Sequence, residues 1–274
     1  MNPRVTAAWS ASTLACVLLT NNPVYRILLL LAAANFIVAA APRRVRALAV
    51  GLSVTCAFAV VLNSLLAHVG SHVYAALPGW IPLLGGPLTV ESAVYGLDIA
   101  AGLAGALLAV APLSLATDPT ELVDALPASL ERTGAALAAA LSFVPGIGRT
   151  LVAVSDAQKM RGWRPRGPRS WSEVLVPVML TAIEDSIQLA EAMASRGYGA
   201  GPRSHYPRVA WSGRDTAVVV VSVVALAGLL AARVSGLVGD WYPYPSLSFP
   251  PVEPLAVVLC LSLALPALLW RSRL

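Results

Sequence analysis

A chain of 274 residues with 57% hydrophobic and only 12% charged side chains is not an ordinary water-soluble globular protein, in which about 25% of residues are charged. Its formal charge of +5 follows a distribution that membrane sidedness explains, so the basic excess needs no nucleic-acid partner. Cys16, Cys56 and Cys260 all lie in apolar stretches without CxxC spacing, which argues against a disulfide framework or a thiolate metal site.

The apolar runs set out the elements. Residues 7–20 form a short run holding Ser10, Ser12 and Thr13. It reads either as a brief sixth span or as half of a re-entrant hairpin ending at Asn21-Asn22-Pro23. It lacks the basic leader and small-residue cleavage site of a removable signal peptide. Runs at 24–41, 47–67, 97–116, 215–237 and 254–270 each approach or exceed the roughly 17–25 residues that cross a bilayer as a helix. The fold class is therefore all-α: a polytopic membrane helix bundle of about five to six spans, interrupted by a helical domain. The division is 1–116 for the N-terminal transmembrane helices, 117–214 for a cytoplasmic helical domain, and 215–274 for the C-terminal transmembrane helices.

Sidedness comes from the 19 basic residues. Arg43, Arg44 and Arg46 separate the second and third runs, and another cluster extends from Arg132 to Arg214. Loops 68–90 and 239–253 have no basic residue and carry Trp80, Trp241, Tyr242 and Tyr244. The positive-inside rule places 42–46, 117–214 and the Arg271/Arg273 tail in the cytoplasm and the aromatic loops outside, in a cell membrane crossed several times. Loop 239–253 is rich in proline and is expected to be irregular.

The segment 117–214 is too long to be a bare connector. Asp118-Pro119-Thr120-Glu121 combines an acidic N-cap, proline at the first helical position and glutamate three residues after the cap, a helix start. A break is expected at "VPGIG", 144–148. Ser170-Trp171-Ser172-Glu173 reads as a capping box opening a second helix. Its apolar stripe is Val174, Val178, Ile183, Ile187, Ala190 and Ala194, with Glu184, Asp185 and Glu191 opposite. Pro177 predicts a kink near its start.

Two stretches of this segment are one word written twice: "DAQKMRGW", 156–163, and "EAMASRGY", 191–198. Each runs acid, alanine, three variable residues, arginine, glycine, aromatic. Asp156-Ala157 and Met160-Arg161-Gly162-Trp163 match Glu191-Ala192 and Ser195-Arg196-Gly197-Tyr198. Glycine in the left-handed conformation is a common helix terminator, so Arg161 and Arg196 are expected in the last turns of two helices. There a cation suits the free carbonyls and the helix dipole. One copy is ordinary capping; two matching copies point to paired docking of arginine-tipped helices on a two-fold partner, such as a two-domain ATPase.

The sequence resembles the transmembrane T component of energy-coupling factor (ECF) transporters, the CbiQ-like cobalt transport protein family. "NNPVYRILLLLAA" is similar to the family's Asn/His-Pro-x-x-Lys/Arg lead, and "TDPTELVDAL" to its Thr-x-Pro-x-Glu-Leu stretch. Its paired Ala-Arg-Gly motifs are matched by Met160-Arg161-Gly162 and Ser195-Arg196-Gly197, which lack the alanine. The resemblance implies a non-catalytic membrane subunit of an ATP-driven vitamin or metal-ion importer, without a cofactor of its own. The partners it implies are two ABC ATPases, as a homo- or heterodimer, and a small substrate-binding membrane S component. Arg161, Gly162, Arg196 and Gly197 would then dock in the ATPases. Asp156, Ala157, Met160, Trp163, Glu191, Ala192, Ser195, Tyr198, Pro119 and Glu121 would support the coupling helices.

Other signals are weaker. His68-x-x-x-His72 has the spacing of two imidazoles on one helix face, but interfacial histidines are the default reading and no metal site is assigned. "GIGRT", 146–150, lacks the lysine of a phosphate loop and reads as a flexible joint, so the chain is not expected to bind ATP. Asp98 stands in the first turn of an apolar run, with Arg26 and Arg233 at the same outer level. A self-contained secondary carrier or, failing that, a membrane-embedded enzyme are the rival classes. The first would show an inverted repeat of spans and the second clustered ionisable groups at one depth. The sidedness is testable: a cysteine at Ser246 should react with an impermeant thiol reagent from outside intact cells, and one at Ser204 should not. The reverse pattern would overturn the topology.

Overall fold

The computed structural model describes residues 2–40, 45–78, 85–115, 117, 121, 123, 131–198 and 211–267. The described elements, in order, are α1 (Pro3–Leu19), α2 (Pro23–Ala40), α3 (Val45–Leu66), β1 (Val73–Ala76), β2 (Pro87–Thr89) and α4 (Val90–Leu115). They continue with α5 (Glu131–Met160), a 3₁₀ turn (Pro168–Trp171), α6 (Ser172–Ser195), α7 (Gly213–Val234) and α8 (Pro254–Ser262). The chain folds as two compact units. One comprises residues 1–118 and 211–274, the other residues 119–210.

The first unit is built on apolar helices. α1 starts cleanly because the Asn2 side chain accepts the Arg4 N–H at 3.1 Å and Pro3 takes the first helical position. It is a full helix and a core element. Trp9 is fully buried, stacks on Phe36 of α2 with centroids 4.1 Å apart, and donates its indole N–H to the Leu263 carbonyl. Tyr25, Leu29 and Phe36 of α2, Leu108 of α4, Leu229 of α7 and Cys260 of α8 complete this core. α3 packs on α4 and leaves Val50, Val54, Phe58 and Val61 exposed, as a helix facing lipid does. Four described helical stretches are long and apolar enough to cross a membrane: Arg46–Leu66, Val90–Leu115, Ala136–Met160 and Gly213–Val234. Pro23–Val38 and Pro254–Ala267 are shorter apolar helices. The all-α polytopic class therefore holds, with one two-stranded antiparallel ribbon, β1–β2, as an addition.

Several ionisable groups of this unit are paired. Asp98, 3% exposed, meets Arg26 at 2.5 Å (Oδ2 to Nη1). The same guanidinium donates to the Thr20 carbonyl and, at 2.8 Å, to Asn21 Oδ1. Gly102 makes room for it: a Cβ there would stand 3.1 Å from Arg26 Nε. Asn21 in turn donates to Asp240, which pairs with Arg233 at 3.0 Å. The histidines do not share a helix face. α3 ends at Leu66; His68 faces the Pro87 carbonyl, whereas His72 Nδ1 lies 2.6 Å from the buried Glu91 carboxylate. Among the described residues no three metal-ligating side chains converge.

The second unit departs from the sequence reading in three places. α5 runs unbroken through Pro145, Gly146 and Gly148, so "VPGIG" is neither a break nor a joint. Proline removes one interior hydrogen bond, and the helix continues past it to Leu151 and Val154, which pack on Val174 and Val178 of α6. The capping box at 170–173 does not form. Ser170 Oγ bonds Arg166 N–H and the Gly167 carbonyl, Ser172 Oγ donates to the Arg169 carbonyl, and the helix opens at Ser172 without a side-chain cap. The proposed stripe divides. Val174 and Val178 are buried beside Leu151 and Val154, whereas Ile183 and Ile187 are exposed. At 100° per residue, the five-residue step from Val178 to Ile183 swings the side chain about 140° around the helix. α6 therefore has a covered apolar side and an uncovered one, the latter bearing Val176, Met179, Leu180, Ile183 and Ile187. Pro177, where a kink was expected, lies inside α6 near its start.

The Arg26–Asp98 pair generates the prediction for this unit. Arg26→Leu strands a buried carboxylate and should cost about 3–5 kcal/mol, lowering the melting temperature of the detergent-purified chain. Adding Asp98→Leu should recover most of the loss. A single variant as stable as the double would show that the pair contributes nothing.

Candidate functional site

The repeated word folds into the same helix terminus twice. At the end of α5 the Arg161 N–H reaches the Ala157 carbonyl at 3.3 Å, Gly162 N–H reaches Lys159 at 3.0 Å, and Trp163 N–H reaches Gln158 at 2.9 Å. At the end of α6, Arg196 reaches Ala192 at 3.3 Å, Gly197 reaches Ala194 at 3.0 Å, and Tyr198 reaches Met193 at 2.9 Å. Both are Schellman motifs, in which the glycine and the residue after it turn back to bond the last free carbonyls. The glycines take φ of +87° at Gly162 and +72° at Gly197, a conformation costly to residues with a Cβ. No heavy atom lies within 4 Å of where a Gly162 Cβ would be, so the requirement there is conformational, not steric. Arginine falls at the half-turn that closes each helix. Both side chains are exposed, and among the described residues neither guanidinium has a partner.

The two termini differ in what supports them. Trp163 is 9% exposed, wedged against Val174 and Val178, edge-on to Trp171 at 5.7 Å, and donates its indole N–H to the Ser170 carbonyl at 2.9 Å. Gln158 adds a bond to the Glu173 carbonyl at 3.3 Å. The first tip is thus clamped to the start of α6. Tyr198, in the equivalent place, is 47% exposed. Gln158, Ser170 and Trp171 were not legible as supports, because nothing in their spacing marks them.

That clamp fixes where the tips lie. Arg161 sits beside the N-terminus of α6 and Arg196 closes its C-terminus. Twenty-four helical residues lie between, so the tips are about 36 Å apart along the helix axis. One pocket cannot take both. The other predicted positions take lesser parts. Asp156 pairs with Lys159 at 2.9 Å on the surface, and Glu191 is exposed, so the shared acid does not serve the arginine in either copy. Met160 is 84% exposed, and the Ser195 hydroxyl bonds the Ala192 carbonyl. Glu121 is an exposed helical residue; Pro119 lies outside the described residues.

These features define the class first: a polytopic helical membrane protein with a second helical unit that presents two separate arginine tips. A sequence profile of the cobalt transport protein family, CbiQ, matches residues 1–206. The energy-coupling factor transporter transmembrane protein EcfT of Bacillus subtilis (strain 168) is 28% identical over 190 residues, covering 63% of this chain and 69% of that protein. The EcfT of Staphylococcus aureus (strain 04-02981) is 26% identical over 185 residues, 61% of this chain and 69% of that one. That of Listeria innocua serovar 6a is 30% identical over 136 residues, 43% and 51% of the two chains. The chain belongs to the CbiQ family, as its paired Arg-Gly motifs led one to expect, and is a membrane transport subunit, not a catalyst.

Proposed function

We propose that this chain is the energy-coupling T component of an ECF-type importer, holding two ABC ATPases and a substrate-binding S component that carries a vitamin or metal ion. The observation that supports it most is the pair of matching arginine termini, one ending α5 beside the start of α6 and the other ending α6. Two equivalent sockets that far apart are what a dimeric motor offers, one on each subunit. Arginine suits such a socket because its planar fork pairs bidentately with carboxylates, and a preorganised helix end loses little freedom on docking.

The α5–α6 unit then acts as a rigid piece between motor and membrane. Movement of the ATPase pair relative to the membrane then carries or tilts a helix docked at both ends. The uncovered side of α6, with Val176, Met179, Leu180, Ile183 and Ile187, supports a further apolar contact there, which we assign to the S component. α5 is long and apolar enough to span a bilayer, yet its second half carries Arg149, Asp156 and Lys159. Each charge at mid-membrane would cost about 2.5–3.5 kcal/mol, which favours a cytoplasmic place for this unit in the cell membrane.

If Arg161 and Arg196 only complement helix dipoles, alanine at either should cost about 0.3–1 kcal/mol of local stability and leave uptake nearly intact. Docked against carboxylates, each truncation should cost about 2–5 kcal/mol of ATPase binding. Arg161→Glu with Arg196→Glu should abolish ATPase pull-down and uptake while the chain stays monodisperse in detergent. A monodisperse double variant that binds both ATPases and transports at the wild-type rate would remove this reading.

A further inference from the structure

The segment joining α7 to α8 combines properties that seldom occur together. From Trp241 to Val252 it has no charged side chain, and it forms no helix or strand. It is nevertheless firmly held. Trp241 is buried and donates to the Ser248 carbonyl at 2.9 Å, and Asn22 donates to the Pro251 carbonyl at 2.7 Å. The Glu253 N–H donates to the Tyr25 hydroxyl at 2.8 Å, and Tyr244 lies edge-on to Tyr95 of α4 at 5.6 Å.

Irregular backbone is normally kept out of lipid because its N–H and C=O groups find no partners there. Pro243, Pro245, Pro250 and Pro251 remove four of the strap's twelve N–H groups, and the Trp241 and Asn22 side chains bond the Ser248 and Pro251 carbonyls. Its other N–H and C=O groups call for water or lipid headgroups, which suits the interface and not the hydrocarbon core. Its outward side is apolar. Phe249 is 100% exposed, with Leu247 and Val252 also exposed. The strap then runs directly into α8, whose Leu255, Val258 and Leu261 are exposed at the spacing of one helix face. On a membrane helix that face meets acyl chains, and Val252 leads into it.

We propose that the 241–252 strap lies in the lipid interface at its end of the bundle, with Phe249 inserted among the acyl chains as an anchor. Its partner is the bilayer itself, not a protein. Aromatic side chains favour that depth, and the uncharged sequence bounded by Asp240 and Glu253 matches an interfacial segment whose ends reach water.

The test uses the full chain in vesicles of phosphatidylethanolamine and phosphatidylglycerol. Nitroxide labels go on Phe249→Cys and Ser246→Cys, with Cys16, Cys56 and Cys260 replaced by alanine. At position 249 the label should relax faster with oxygen, which partitions into lipid, than with a water-soluble nickel chelate. At 246 the order should reverse. A second measurement keeps the native cysteines: a benzophenone amino acid at 249 should form an adduct with phospholipid on illumination. Preferential access to nickel at 249, shielding from both relaxants, or a protein adduct without a lipid adduct would overturn the proposal.

Discussion

Two glycines in the left-handed conformation set the geometry on which the second unit depends. Gly162 and Gly197 let the chain reverse after its last helical turn, so the backbone N–H groups of Gly162, Trp163, Gly197 and Tyr198 close off the free carbonyls of α5 and α6. An L-residue in that conformation costs about 1–2 kcal/mol, enough to let the helix run on or fray. The stop is therefore encoded at one position in each copy. What it places is the arginine just before it, exposed at the end of a helix that is rigid behind it.

The stop also determines the reach of the unit. Because Trp163 is wedged under α6, the first tip is locked to the N-terminus of the helix that carries the second tip at its other end. In the coupling role proposed above, force applied at one tip would be carried along a continuous helix from a clamped hairpin, and the continuity of α5 through Pro145 would serve the same purpose. In the membrane unit stiffness has a different source: low dielectric makes an unpaired charge or backbone group expensive, so Arg26, Asp98, Asn21, Asp240 and Arg233 form linked polar contacts.

Much of this was legible in the sequence, and the remainder was not for identifiable reasons. The membrane helices announce themselves because lipid demands long apolar runs, and α2, α3 and α7 follow those runs within a few residues. The Arg-Gly-aromatic termini were legible because glycine has a single dominant use after a helix. Pro145 misled because a proline costs a helix one interior hydrogen bond without obliging it to end, and the residues on both sides of it stay helical. Ser170 misled because its hydroxyl was taken by the turn before the helix. The stripe on α6 misled because a step of five looks periodic in a sequence yet crosses to the other side of a helix. The Arg26–Asp98 pair was legible only as charges at the same outer level, since the contact between them is made by the fold.

The central claim is that the two tips engage two separate motor subunits at the same time. Photo-cross-linking amino acids at Met160 and Ser195, together in one chain within the assembled transporter, test it most directly. The account predicts a covalent product of one chain with two ATPase subunits, each captured by one tip. Capture of a single ATPase subunit by both positions, or capture of neither, would contradict it.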